Sequence, residues 1–73
     1  MNTIRLSDNI TYHVSTNVFV HTPTGYILHP DVVLGLPFED IVGRMFAVTR
    51  WWLLQEDYNL MKDYINNVEA VYI

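Results

Sequence analysis

The stretch from Leu36 to Gln55 constrains this chain most, because it carries more apolar side chains than one face of a helix can bury. Residues placed at about 100° steps divide it into two sides. The broad apolar arc holds Phe38, Ile41, Val42, Met45, Phe46, Val48, Thr49, Trp52 and Leu53. Ala47, Trp51 and Leu54 fall on the polar side and, with i, i+4, i+7 spacing, form a second, narrower stripe. We interpret the broad arc as the side that faces the core.

The narrow stripe is a candidate partner-binding surface. Trp and Arg are enriched where proteins dock. The predicted partner-binding residues are Arg44, Ala47, Arg50, Trp51 and Leu54. The alternative is that Trp51 packs within its own chain, against the next helix or a C-terminal strand.

Composition supports an exposed apolar surface. The chain has 73 residues, of which 51 % are apolar and 16 % charged, and it has no cysteine. We expect one domain, residues 1–73, with neither a disulfide nor a thiolate zinc site to stabilise it. A domain this small buries its apolar side chains incompletely. Association with another protein or with a second copy, as a homodimer, is therefore expected.

The charge and the hydropathy of the chain disfavour nucleic-acid binding and a membrane span. The formal net charge is −4, which disfavours nonspecific nucleic-acid binding. A nucleic-acid-linked regulator, or an acidic mimic of nucleic acid, is an alternative, although the acids are scattered between Asp8 and Glu69. No apolar run is long enough to cross a membrane, and the opening residues MNTIRLSDN do not resemble a signal peptide. The expected location is the cytoplasm.

The first 29 residues predict four short strands separated by turn-forming residues. The predicted strands are residues 3–6, 10–14, 18–22 and 26–29. Three-residue loops pair Leu6 with Ile10, Val14 with Val18, and Thr22 with Tyr26. This register gives an antiparallel meander with one apolar face. In the last turn, Gly25 is expected at positive φ.

Two helices follow in this interpretation, the first beginning near Pro37 and the second covering Glu56 to Asn67. A break near Gln55 to Asp57 separates them, with Asp57 as a cap; one long bent helix is the alternative. Residues 31–36 fit either a short helical turn or an extended link, and residues 68–73 favour a fifth strand. The predicted fold class is therefore α+β. The predicted core is Ile4, Leu6, Tyr12, Val14, Val20, Leu28, Ile41, Met45, Trp52, Leu60 and Ile65.

Candidate chemistry is limited to the histidines. In the predicted register His13, His21 and His29 share the outer face of the sheet, where imidazoles bind zinc or copper if they converge. The alternatives are three polar residues on a solvated face, or a pH-sensitive interface. No serine-elbow, phosphate-loop or paired-carboxylate motif is present, so we expect no catalytic residues and no cofactor.

The sequence thus favours a small non-enzymatic protein that occupies a surface of a partner. By analogy of composition alone, small viral accessory inhibitors of host enzymes or defence complexes have this character.

Overall fold

The computed structural model describes residues 2–71, with side chains described for residues 2–68. A four-stranded antiparallel sheet and three helices form an α+β fold. The elements are β1 (Thr3–Arg5), β2 (Ile10–His13), β3 (Val18–His21), β4 (Tyr26–Leu28), α1 (Pro30–Gly35), α2 (Phe38–Thr49) and α3 (Gln55–Val71). The strands lie in chain order, β1-β2-β3-β4, so the predicted meander is confirmed.

The register is as predicted in the first hairpin and shifted by one residue in the next two. Ile4 lies opposite Tyr12, as expected. Tyr12, however, lies opposite Phe19 rather than Val20, and Phe19 lies opposite Leu28. The two one-residue shifts cancel, so β4 keeps its predicted face while β3 is inverted. Phe19 and His21 therefore point toward the helices and are buried, while Val18 and Val20 share the outer face.

Two four-residue turns cause the shifts. Asn17 adopts a left-handed conformation with φ 55° and ends the turn before Val18. In the next turn Gly25 has φ 76°, as predicted, and its N–H donates to the carbonyl oxygen of His21 over 2.7 Å. Asparagine is one of the few residue types that enters this region readily. The extra residue in each turn moves every following side chain to the opposite face.

The predicted long helix ends early. α2 stops at Thr49, and Arg50 is its left-handed cap with φ 64°. Residues 51–54 have no regular structure, and α3 begins at Gln55. The break between the two helices therefore lies at residues 50–54, ahead of the predicted position near residues 55–57. Asp57 lies in the first turn of α3 and does not precede the helix as a cap.

Residues 2–71 form three helices, because residues 30–35, where the sequence leaves open a short helical turn or an extended link, form α1. Pro30 opens this helix, and Gly35 is its last residue. The predicted fifth strand is wrong as far as Val71, since residues 68–71 continue α3; residues 72 and 73 lie outside the described part.

One core joins the sheet to the helices. Its fully buried members include Ile10, Phe19, Val33, Met45 and Met61. Of the predicted core, Leu28, Ile41, Met45 and Ile65 are buried, and Leu6 and Tyr12 pack against the core. The prediction is wrong for Ile4, Val14, Trp52 and Leu60, which are exposed, and for Val20, which is half-buried on the outer face of the sheet.

Candidate functional site

Residues 51–54, named the linker here, connect α2 to α3 and expose three large apolar side chains. At its start the Thr49 hydroxyl donates to the carbonyl oxygen of Met45 over 2.8 Å and accepts the Trp51 N–H over 3.1 Å. At its end the Tyr58 N–H donates to the Leu54 carbonyl oxygen over 3.0 Å, which begins α3. Leu53 is buried in the hydrophobic core and holds the middle of the linker against it. The linker is therefore ordered without being helical.

Three of its side chains face solvent. Trp52 is 61 % exposed, Trp51 49 % and Leu54 44 %. We name these three residues the linker surface. Trp52 stacks on Phe46 with ring centroids 4.1 Å apart and planes 21° apart, and the Arg50 guanidinium lies 5.8 Å from the centroid of the same Phe46 ring. The rings thus have defined positions while much of their area stays accessible.

The residues predicted to bind a partner divide between helix and linker. Arg44 and Ala47 are exposed on α2, and Arg50 is exposed at its cap. Trp51 and Leu54 belong to the linker surface and not to a helical stripe.

The sequence does not predict the exposure of Trp52 or of Val48, because both fall in the apolar arc of an uninterrupted helix. Val48 is 72 % exposed. The available signal was the run of four large apolar residues from Trp51 to Leu54. Such a run covers every side of a helix and does not fit an amphipathic one.

An open cleft of about 280 Å³ borders the linker surface. It lies between the first β-turn and the start of α3, and Leu54 forms part of its wall. Its lining residues are Ser7, Asp8, Asn9, Leu54, Glu56, Asp57 and Leu60. The cleft adds a partly apolar, acidic margin to the linker surface.

His21 lies beneath the linker and is 1 % exposed. Its imidazole meets the Trp51 ring in an edge-on arrangement, with centroids 5.7 Å apart. Its Nδ1 lies 2.8 Å from the Thr24 hydroxyl, which also accepts the Tyr26 N–H over 3.3 Å.

Burial lowers the pKa of His21, and the negative charge of Asp57 partly opposes that shift. Asp57 is itself buried, with 3 % exposure, and its carboxylate accepts a long hydrogen bond from Asn9 Nδ2 over 3.4 Å. Because so little of the His21 ring reaches solvent, these contacts favour a structural role over proton transfer to a bound substrate.

The prediction that the three histidines share the outer face of the sheet is wrong for His21. His21 is on the helix-packed face, His13 pairs with Val18 on the outer face, and His29 is exposed just before α1. The one-residue shift at β3 separates His21 from the others. Among the described residues, no group of three or more His, Cys, Asp or Glu side chains is placed to hold a metal ion.

Across residues 2–71, no helix combines the length and the apolar character that a membrane crossing requires. Comparison of the chain with protein-family models, with curated proteins and with solved structures found no significant match.

Proposed function

We propose that this chain is a non-enzymatic binding module that docks onto another protein through the linker surface of Trp51, Trp52 and Leu54. The observation that carries the proposal is the exposure of two consecutive indoles, 49 % and 61 %, in a segment anchored by buried Leu53. Tryptophan buries a large contact area when a partner covers it, and it is strongly enriched among residues that dominate binding energy.

The order of the linker supports this function. Trp52 is stacked on Phe46, and Trp51 packs against His21. Side chains already fixed in the free protein lose less conformational entropy on binding than mobile ones. The linker surface is therefore pre-organised for docking.

Residues next to the linker surface enlarge the proposed interface. Val48 continues it onto α2, and Arg44, Ala47 and Arg50 provide an exposed polar and small-residue border there. On the other side lies the cleft with Asp8 and Glu56. An apolar centre with charged residues at its edge is the usual composition of a protein interface.

The mode of action that we propose is occupation of a partner's surface. An inhibitor acts in this way, and so does a chain that pairs with its own copy. The homodimer and the viral origin remain predictions made from composition, and the cytoplasmic location remains a prediction made from the sequence.

Affinity capture from cells of the protein's source tests the proposal. The bait is the full chain as wild type, Trp52→Ala, or the control Ile27→Ala. Ile27 is 53 % exposed on the outer sheet face, so its loss removes a comparable fraction of exposed apolar side chain elsewhere. We expect one protein to be retained equally by wild type and Ile27→Ala and at least about tenfold less by Trp52→Ala, a loss typical of an interface hot spot. Equal retention by all three baits would overturn the proposal.

A further inference from the structure

The contact between Trp51 and His21 couples the linker surface to a titratable group inside the fold. His21 is 1 % exposed and Trp51 is one of the side chains that cover it. Thr24 holds the imidazole from the β3–β4 turn. A proton that arrives on His21 therefore places a charge beneath the linker, where little water is available to solvate it.

We propose that protonation of His21 releases Trp51 from the sheet, so that acidification disassembles the linker surface. The Trp51 ring moves outward, water reaches the imidazolium, and the pre-organised arrangement of the two indoles is lost. The inference deepens the proposed function by assigning its regulation, and its biological meaning rests on that function.

The surroundings of His21 explain why the neutral ring is the packed form. The Thr24 hydroxyl lies 2.8 Å from Nδ1, and of the two protonation states only the neutral ring can accept a hydrogen bond from it. Ile10 in β2 and Tyr26 in β4 lie directly opposite His21 in the sheet; the first has an apolar side chain and the second a phenol. In the described part of the chain, the charged group acting on His21 is the Asp57 carboxylate of α3.

Asp57 influences the pH at which His21 is protonated and does not prevent the proposed release of Trp51. Its negative charge favours the imidazolium, whereas burial disfavours it, and burial is the larger effect because the pKa of His21 is lowered overall. Substituting Asn for Asp57 removes the favourable charge while keeping the side-chain size. The Trp51 transition of that variant should move to lower pH.

The experiment is an NMR pH titration of the isolated chain between pH 7.5 and about 5, which follows the His21 ring carbons and the indole N–H of each tryptophan. We expect the Trp51 indole signal and the His21 ring to titrate with the same midpoint, below about pH 6.5. The Trp52 signal should shift less through this range, because Trp52 stacks on Phe46. His13→Gln, which changes a histidine on the opposite face, should leave the Trp51 transition unchanged.

Two variants make the test decisive. His21→Gln should hold the Trp51 signal flat through the same range, and Asp57→Asn should lower the midpoint. If His21→Gln does not fold, the wild-type comparison of midpoints and the Asp57→Asn shift still decide the matter. A Trp51 signal that stays fixed while His21 titrates, or that titrates unchanged without His21, would overturn the inference.

This titration uses no partner. A negative result therefore rejects the pH control alone, and the capture experiment at neutral pH independently decides whether the linker surface binds a protein.

Discussion

The Trp51 indole and the buried His21 imidazole meet in a T-shaped arrangement, with ring centroids 5.7 Å apart and ring planes 65° apart. This contact attaches an exposed, non-helical segment to the inner face of the sheet. Two local features produce it. The four-residue turn before Val18 directs His21 toward the helices, and the end of α2 at Thr49 lets the chain pass over His21. The same two features therefore account for the exposure of the linker surface and for the contact that holds Trp51 against the sheet.

Leu53 and Leu54 offer a direct test of the linker geometry, since they are chemically identical neighbours. Leu53 is 3 % exposed and Leu54 is 44 % exposed. We expect Leu53→Ala to lower the free energy of unfolding by about 2–4 kcal/mol, because it leaves a cavity in the core. Leu54→Ala should cost less than about 1 kcal/mol. Urea denaturation of both variants measures the difference, and similar losses would show that the linker is oriented differently.

Substitutions at Arg50 test whether α2 ends at Thr49. A backbone position with positive φ favours glycine, whereas a position inside a helix favours alanine by roughly 1 kcal/mol. At φ 64°, the variant Arg50→Gly should therefore be more stable than Arg50→Ala. Both variants remove the guanidinium contact with Phe46, so the comparison isolates the backbone. Greater stability of the alanine variant would indicate a helix that continues through residue 50.

The register of β3 is tested at Val20, which lies opposite Thr11 and Ile27 on the outer face. Val20→Thr keeps the β-branched shape and should change the free energy of unfolding by less than about 0.5 kcal/mol. Phe19→Ala should cost about 3–5 kcal/mol. Thermal or urea unfolding measures both. A loss at Val20 of 1 kcal/mol or more, in the range expected for burying an unpaired hydroxyl, would favour the three-residue loop instead.

His21 makes stability depend on pH in a defined direction. Well above pH 6.5 the imidazole is neutral in both the folded and the unfolded chain. As the pH falls below about 6.5, the unfolded chain binds the proton first, because burial lowers the pKa of His21 in the folded state. The free energy of unfolding therefore decreases through that window.

The corresponding measurement is the change in Tm between pH 7.5 and pH 6 for wild type, His21→Gln and His13→Gln. The decrease should be smaller in His21→Gln than in the other two. This comparison uses the change within each variant, so a general loss of stability in His21→Gln does not affect it. An equal decrease in all three proteins would assign the pH dependence to other groups.

Particular residues show where sequence reasoning succeeds and where it stops. The four strands are predictable because turn-forming residues separate them. The register of the first hairpin is predictable because Ser7, Asp8 and Asn9 form a turn of recognisable composition. The positive φ of Gly25 is predictable because glycine bears no Cβ. The α+β class follows from the change of hydrophobic period after Pro30.

The inverted strand and the helix end were not predictable because they depend on positive φ at Asn17 and Arg50. Arginine shows no preference for the left-handed region, so the sequence continues to resemble a helix through Trp51 and Trp52. Tertiary packing decides the matter: ending α2 at Thr49 lets Leu53 enter the core and starts α3 where Tyr58 and Met61 are buried. The exposure of Trp52 follows from that ending and not from helical periodicity.

Site-specific photo-crosslinking in source cells tests the central claim, docking through the linker surface, most directly. A benzophenone amino acid replaces Trp52 in one bait and Ile27 in the other, two exposed positions on different surfaces. We predict a single covalent adduct from position 52 and none from position 27, with a mass that identifies either a second copy or another protein. No adduct from position 52, or the same adduct from both positions, would contradict the account.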